Sequence, residues 1–444
     1  MRFKKFSFFV FLLATTCVFG QQNDNSPYSR FGIGDQHDQS FNHLRQMGGM
    51  GASYVDNFHI NTINPASYAF LNSTAFDIGV FAKYTSLKDS KNTNAFWTGN
   101  LDYIGLAFPI YNPINEIYDG KKRNLKLGMA FSLAPYSVVN YNITSFDSLS
   151  YIENVAQNYS GKGGTYKVQW GNALKYKNFG VGLNLNYIFG TVSYNRALEF
   201  LDHPYAFNDY YSNDIILRGF TGDLGFLYSK VLNSKAVSAN SAIPSRKLNI
   251  GFHITPSTGF STNGSVLNVQ TQSAIVTLID TILYASDLKQ SGKLPISLGF
   301  GATYYIGEKY CFGFNAKTTT WSKFYNEATD TKAGDLVNSS RYSVGGYIRP
   351  NYKSYTSFLQ RVYYRYGLFY NEDPRLIEGK QLSSYGLNFG LGMPFVYQRK
   401  ISHVNIGAEI GVRGHKTVIS ENYVKLSIGV TFNDDEWFLK RKYN

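Results

Sequence analysis

Seven histidines, His37, His43, His59, His203, His253, His403 and His415, are the residues of this chain best suited to ligate a metal or move a proton near neutral pH. None forms a His-x-x-x-His pair, and none accompanies a strand-to-helix serine elbow, so spacing supports neither zinc-type ligation nor a serine nucleophile. Cys17 lies in an apolar amino-terminal segment, which leaves Cys311 as a single thiol unable to close an intramolecular disulfide or build a Cys-rich metal centre. Its small apolar side chain is expected to face lipid. Phosphate-cradling loops are absent. Lys and Arg are scattered over turns and loops rather than gathered in a stripe, which argues against nucleic-acid binding and for contact with anionic lipid head groups or a polar lumen. The chain reads as a non-enzyme with no cofactor, no metal and no nucleic-acid partner. A lipid-acting enzyme that assembles its triad from distant strands has no local signal in its favour.

Other residues stand out for what they do to the backbone. Gly48, Gly49 and Gly51 punctuate Arg45-Gln46-Met47-Gly48-Gly49-Met50-Gly51-Ala52, and glycine at this density permits positive φ or close approach of two chains. Asn64-Pro65-Ala66 follows; Pro65 fixes φ and biases Asn64 away from helix. Turn chemistry accounts for both stretches, and a segment that shifts to let a ligand pass is the sharper alternative. Pro135 interrupts Leu133-Ala134-Pro135-Tyr136-Ser137, where a missing N–H and a fixed φ bend a strand or open its pairing, unless the segment has already reached the rim and Pro135 merely starts a loop.

The elements that must position these residues are strands. Of 444 residues, 43% are hydrophobic and 17% aromatic, and 16% charged is too little for a disordered chain, while 41 Gly and 12 Pro suit many short-turned segments. From Phe76 onward, large apolar residues alternate with small or polar ones. Val424, Leu426, Ile428, Val430 and Phe432 alternate with Lys425, Ser427, Gly429 and Thr431, the signature of a strand with one apolar face. Such segments fall near 74–85, 99–109, 124–137, 164–177, 179–193, 217–229, 246–256, 294–306, 310–321, 340–350, 362–371, 383–394, 403–413 and 421–432. Fourteen is an even number, as a single-chain bacterial transmembrane barrel requires, and long connections at 138–163, 194–216 and 257–293 alternate with tight turns such as Lys177-Asn178. A soluble sandwich also alternates, with its apolar face inward, but the Gly, Ser, Asn and Thr partners and the Tyr-rich strand ends favour a membrane barrel. The expected fold class is all-β: a transmembrane antiparallel barrel of about fourteen strands, 74–432.

Arg2, Lys4 and Lys5, the apolar run Phe6 to Val18 and a small-residue site at Gly20 read as a signal peptide over 1–20. Lipidation at Cys17 is the competing reading, poorly matched by its neighbours. The net charge of +13 stays positive after cleavage, because the segment holds three basic and no acidic residues.

Residues 21–73 do not read as barrel wall. The glycine-punctuated stretch and the Asn64-Pro65-Ala66 element, ahead of fourteen alternating strands, resemble the FadL-type family of outer-membrane transporters for long-chain fatty acids and other hydrophobic compounds. The resemblance implies that 21–73 folds inside the lumen as a hatch containing Gly48, Gly49, Gly51, Asn64, Pro65 and Ala66. It also implies that a kink in the third strand, here at Pro135, opens the wall sideways to release hydrophobic cargo into the membrane. The chain departs from the family in continuing past its last strand through a short tail, 433–444. The expected function is hatch-gated passive diffusion of small hydrophobic molecules, and the alternative is a non-transporting barrel that serves as a subunit or shuttle of an outer-membrane protein secretion apparatus. Outer-membrane lipids, hydrophobic small molecules and other envelope proteins are the corresponding partners.

Overall fold

In a computed structural model, residues 26–88, 93–118, 120, 123–149, 152–203, 205–240, 242–272, 275–415, 419–437 and 439 are described. The proposed signal peptide and the extreme carboxyl terminus lie outside them. Fourteen antiparallel strands close into one barrel. They are β1 (Thr74–Lys88), β2 (Thr93–Pro109), β3 (Leu125–Leu149), β4 (Ile152–Tyr176), β5 (Phe179–Phe200) and β6 (Phe207–Val231). β7 (Arg246–Thr255, resuming as Thr258–Gln272) and β8 (Ile275–Leu294, resuming as Ser297–Ile306) are each interrupted beside a proline, Pro256 and Pro295. β9 (Tyr310–Thr319), β10 (Ser339–Ile348), β11 (Tyr363–Ile377), β12 (Lys380–Tyr397), β13 (Lys400–His415) and β14 (Ile419–Asp434) complete the wall. Closure comes from β14 pairing β1, from Ser420 opposite Lys88 to Asp434 opposite Thr74. A closed sheet leaves no unpaired edge at membrane depth, which is what hydrocarbon demands of a β structure.

The alternation has the polarity of a membrane barrel. Val424, Leu426, Ile428 and Phe432 are exposed on the outside, while Ser427 and Thr431 are buried inside. Among the described residues, no helix is long and apolar enough to cross a membrane. Tight turns at the end where β1 begins and β14 finishes use left-handed residues: Gln398 and Arg399 have φ of 47° and 66°, as a two-residue hairpin whose twist matches its strands requires.

Two expectations need correction. The stretches 138–163, 194–216 and 257–293 are not loops, because β3, β4, β6 and the paired halves of β7 and β8 run on through them as hairpin extensions. Cys311 does not face lipid. It is fully buried on the lumen side, among Tyr305, Tyr347 and Met50, while Tyr310, Phe312 and Phe314 take the outward positions of β9.

Candidate functional site

The lumen is occupied by residues 26–73. A short helix, Asn42–Arg45, ends in a reversal in which Gly48 and Gly49 take φ of 73° and 79° and the Gly49 N–H donates to the Leu44 carbonyl at 2.9 Å. Wall glycines admit this turn. A Cβ on Gly345 would stand 2.5 Å from the Met47 carbonyl oxygen, and one on Gly367 would overlap the Met47–Gly48 backbone. Gly51 is pressed on Ile63, where a Cβ would come within 2.7 Å of the isoleucine Cβ.

Asn64 caps the 3-10 helix Pro65–Phe70 by accepting from the Ala66 N–H at 3.1 Å. Its amide also donates to the Ala52 carbonyl at 2.5 Å and to Phe226 on the wall at 3.1 Å. Ala66 packs with Val55, Phe70 and Leu227. The six residues singled out in the sequence thus form one interior body, with the Gly51–Ala52 and Asn64–Ala66 stretches in direct contact.

Ion pairs bolt that body to the wall. Arg45 donates to Asp102, and His37 Nε2 lies 2.7 Å from the same carboxylate. Asp35 accepts from Arg413 at 2.7 and 2.9 Å and also from Arg375. Asp38 lies 3.0 Å from Arg341. Burial alone would raise the Asp35 pKa, but Arg413 and Arg375 outweigh it and hold the carboxyl well below the usual carboxylate range. Arg341 and Arg45 do the same for Asp38 against its burial. Sequence reasoning missed Asp102. At this point β2 carries a bulge, Gly79 pairing Tyr103 and Val80 pairing Leu101, so Asp102 and Tyr103 both turn inward against the period-two rule.

A second group without a sequence signal is a column of imidazoles. The rings of His43 and His59, and of His59 and His403, lie 4.7 Å apart, and all three are buried. Both His43 nitrogens, His59 Nε2 and His403 Nδ1 lack a hydrogen-bond partner among the described residues. Burial, then His59 and Arg365, keep the His43 pKa well below its ordinary value. Among the described residues, no group of His, Cys, Asp or Glu is arranged to hold a metal.

Beside the interior body lies a cavity of about 390 Å³. Its lining includes Phe31, Phe81, Tyr136 and Trp321, but also Asp35, Asp38, Asp223, Asp373, Glu409 and Glu421 facing Lys83, Lys167, Lys317, Arg341, Arg375, Arg413 and Lys425. Such a wall prefers polar or zwitterionic contents to a hydrocarbon. Phe81 faces this space, and Tyr305 and Tyr347 are buried under the interior segment.

Pro135 sits where the wall changes. β2 and β3 pair only from Pro109 opposite Gly128 to Ile104 opposite Leu133. Tyr136 is skipped in the β3–β4 register. Beyond Leu133 the inward edge of β3 is taken by the interior segment: Asp35 and Gln36 pair Val138 and Ser137, the His37 N–H donates to the Tyr136 carbonyl at 3.0 Å, and Gln39 donates to the Pro135 carbonyl at 2.9 Å.

The family model for BamG matches residues 2–444. The chain belongs to the BamG family. No curated protein is significantly similar to it in sequence. Among solved structures, this BamG-family barrel resembles the CymD monoaromatic hydrocarbon channel, with a TM-score of 0.52 and 15% identity over 91% of this chain and 99% of that one. It also resembles the Ralstonia pickettii toluene transporter TbuX, with a TM-score of 0.55 and 12% identity over 89% and 98%. A Pseudomonas aeruginosa FadL homologue gives 0.55 and 11% over 89% and 98%. At such identities the likeness shows a shared FadL-like barrel fold.

Proposed function

We propose that this BamG-family member is an outer-membrane barrel that works as a closed subunit of an envelope protein assembly, such as a protein secretion apparatus, rather than as an open channel. The observation that carries this reading is the lumen: the hatch is bolted by buried ion pairs, and the space left beside it is lined with charge. A hydrocarbon entering that space gains little and strips water from fixed charges. A family name distinct from those of the hydrocarbon channels supports the same reading.

Hatch-gated passive diffusion of small hydrophobic molecules is the second reading, and one feature favours it. The β2–β3 ladder stops at Leu133 beside Pro135, where the hatch rather than the wall completes the pairing, so withdrawal of residues 35–39 would open a lateral gap. The hatch is then the gate, and Gly48, Gly49, Gly51, Asn64, Pro65 and Ala66 shape it. No step in either reading calls for a catalytic group or a cofactor. Titrating the purified barrel with toluene and with a long-chain fatty acid separates the two: saturable binding that Lys167→Ala and Lys317→Ala leave intact favours passage, and no saturable binding favours the closed subunit.

A further inference from the structure

The strands are unequal in height. β3, β4 and β6 each have 25 residues, whereas β9 and β10 have 10. Beyond the level where the shorter strands end, β3 to β8 continue as a sheet with two edges. One edge is β3, and up to Asn140 the chain covers it with its own hatch: Asp35 and Gln36 pair with it, and the Ser26 N–H donates to the Asn140 carbonyl at 3.0 Å. The other edge is β8. On the side away from β7, Gly292 and Lys293 pair Asn326 and Tyr325, and the Ser291 N–H donates to Glu327 at 2.7 Å. From Ile279 to Lys289 that side has no strand partner among the described residues. Ile279, Ile282, Leu283 and Tyr284 are 61%, 54%, 47% and 68% exposed there.

We propose that the bare edge of β8 is a docking strand for an extended segment of another envelope polypeptide, which adds to the sheet by backbone pairing; this rests on the assembly-subunit reading above. Unpaired ladder groups beside exposed apolar side chains are the two ingredients of strand addition, the first giving affinity and the second selectivity. Charge defines the partner further. Asp287 is already engaged, accepting from Asn263 at 2.8 Å and lying 3.6 Å from Lys289, whereas Asp280 is exposed with no ion pair among the described residues. A complementary strand therefore alternates apolar residues with a Lys or Arg opposite Asp280. The ladder with β7 shifts register between Thr281 and Leu283 and again between Ala285 and Leu288, where Asp287 has φ of 57°. Between Ile279 and Ala285 the regular stretches are the short runs Ile279–Thr281 and Leu283–Ala285, which suits a short partner segment and discourages indiscriminate pairing. A second copy is a poor occupant. Strands inclined about 35–45° to the membrane normal and related by a two-fold axis along it would cross at roughly twice that angle, too steep for a ladder.

The test compares amide exchange in the protein purified together with its envelope partners and in the isolated full-length barrel. Amides in 279–285 are expected to exchange at least tenfold more slowly in the assembly, and a photo-crosslinker at Thr281 in intact cells to join a second, different polypeptide through an extended segment. Asp280→Lys with Tyr284→Lys should abolish both effects while the barrel keeps its folded mobility on unheated gels. Unchanged exchange in an assembly that still holds its partners overturns the docking strand, and a crosslink only to another copy overturns the chosen occupant. If no partner co-purifies, it is the underlying subunit reading that fails.

Discussion

Asp102 is one of the wall residues that anchor the interior segment, and Asp102→Ala isolates its effect. Its side chain is fully buried, accepts from Arg45 and lies 2.7 Å from His37, both on the hatch. Removal leaves the Arg45 guanidinium buried with only the Asp38 and Ser40 carbonyls as acceptors, at 3.1 and 2.9 Å. Deleting one member of a buried pair costs about 3–5 kcal/mol, because the remaining charge is stranded without solvent. If that cost falls on the docked hatch, the population with the hatch released rises by roughly a hundredfold to a few thousandfold, at 1.4 kcal/mol per factor of ten. Hydrogen exchange of amides 42–49 against those of β12 and β13 reads this directly, since the wall is expected to keep its protection. Arg45→Met together with Asp102→Leu should restore most of the lost protection, because an apolar pair of similar size carries no stranded charge. A change of less than tenfold in hatch exchange for Asp102→Ala would refute the view that this pair holds the hatch.

Other expectations follow from the same geometry. Acid should release the hatch in two stages: His43, held neutral with a depressed pKa, favours the docked state above its ordinary value near 6.5 and loses that contribution as pH falls below it. Asp35 and Asp38, whose pKa values are depressed in the docked state, contribute above about pH 4 and lose that contribution only below it; hatch exchange measured from pH 7 to pH 3 should show both steps, and a flat profile would contradict them. Gly367→Val should destabilise the barrel–hatch contact by about 1–3 kcal/mol, because a side chain has no room against Gly48; a lowered midpoint for loss of folded gel mobility checks it. Cys311 should resist maleimide until the protein is denatured, and rapid labelling of the folded barrel would place it elsewhere. Pro135→Ala should leave folding unchanged, and any loss of hydrophobic uptake that it causes would favour the lateral passage.

The wall was legible because lipid imposes a rule on every second residue, so Val424 to Phe432 announces both strand and facing. The same rule explains what was misread. Above the membrane, segments such as Asn142–Asp147 need no apolar outer face, and without alternation the extensions of β3 to β8 looked like loops. Cys311 sits on the inward parity, opposite to Tyr310, Phe312 and Phe314; its size, a poor guide to facing, suggested lipid. Gly48, Gly49 and Asn64 were recognisable from local backbone chemistry, which acts over a few residues. Asp102 was hidden by a bulge that reverses parity, and His43, His59 and His403 meet only through the fold, the last two standing 344 positions apart.

Native mass spectrometry after gentle extraction of the tagged protein from its own outer membrane tests the central claim most directly. The account predicts a stoichiometric complex with other envelope proteins and no bound small hydrophobic molecule. A monomer carrying lipid-like or aromatic ligands would contradict it and return the lateral gap beside Pro135 to the centre of the mechanism.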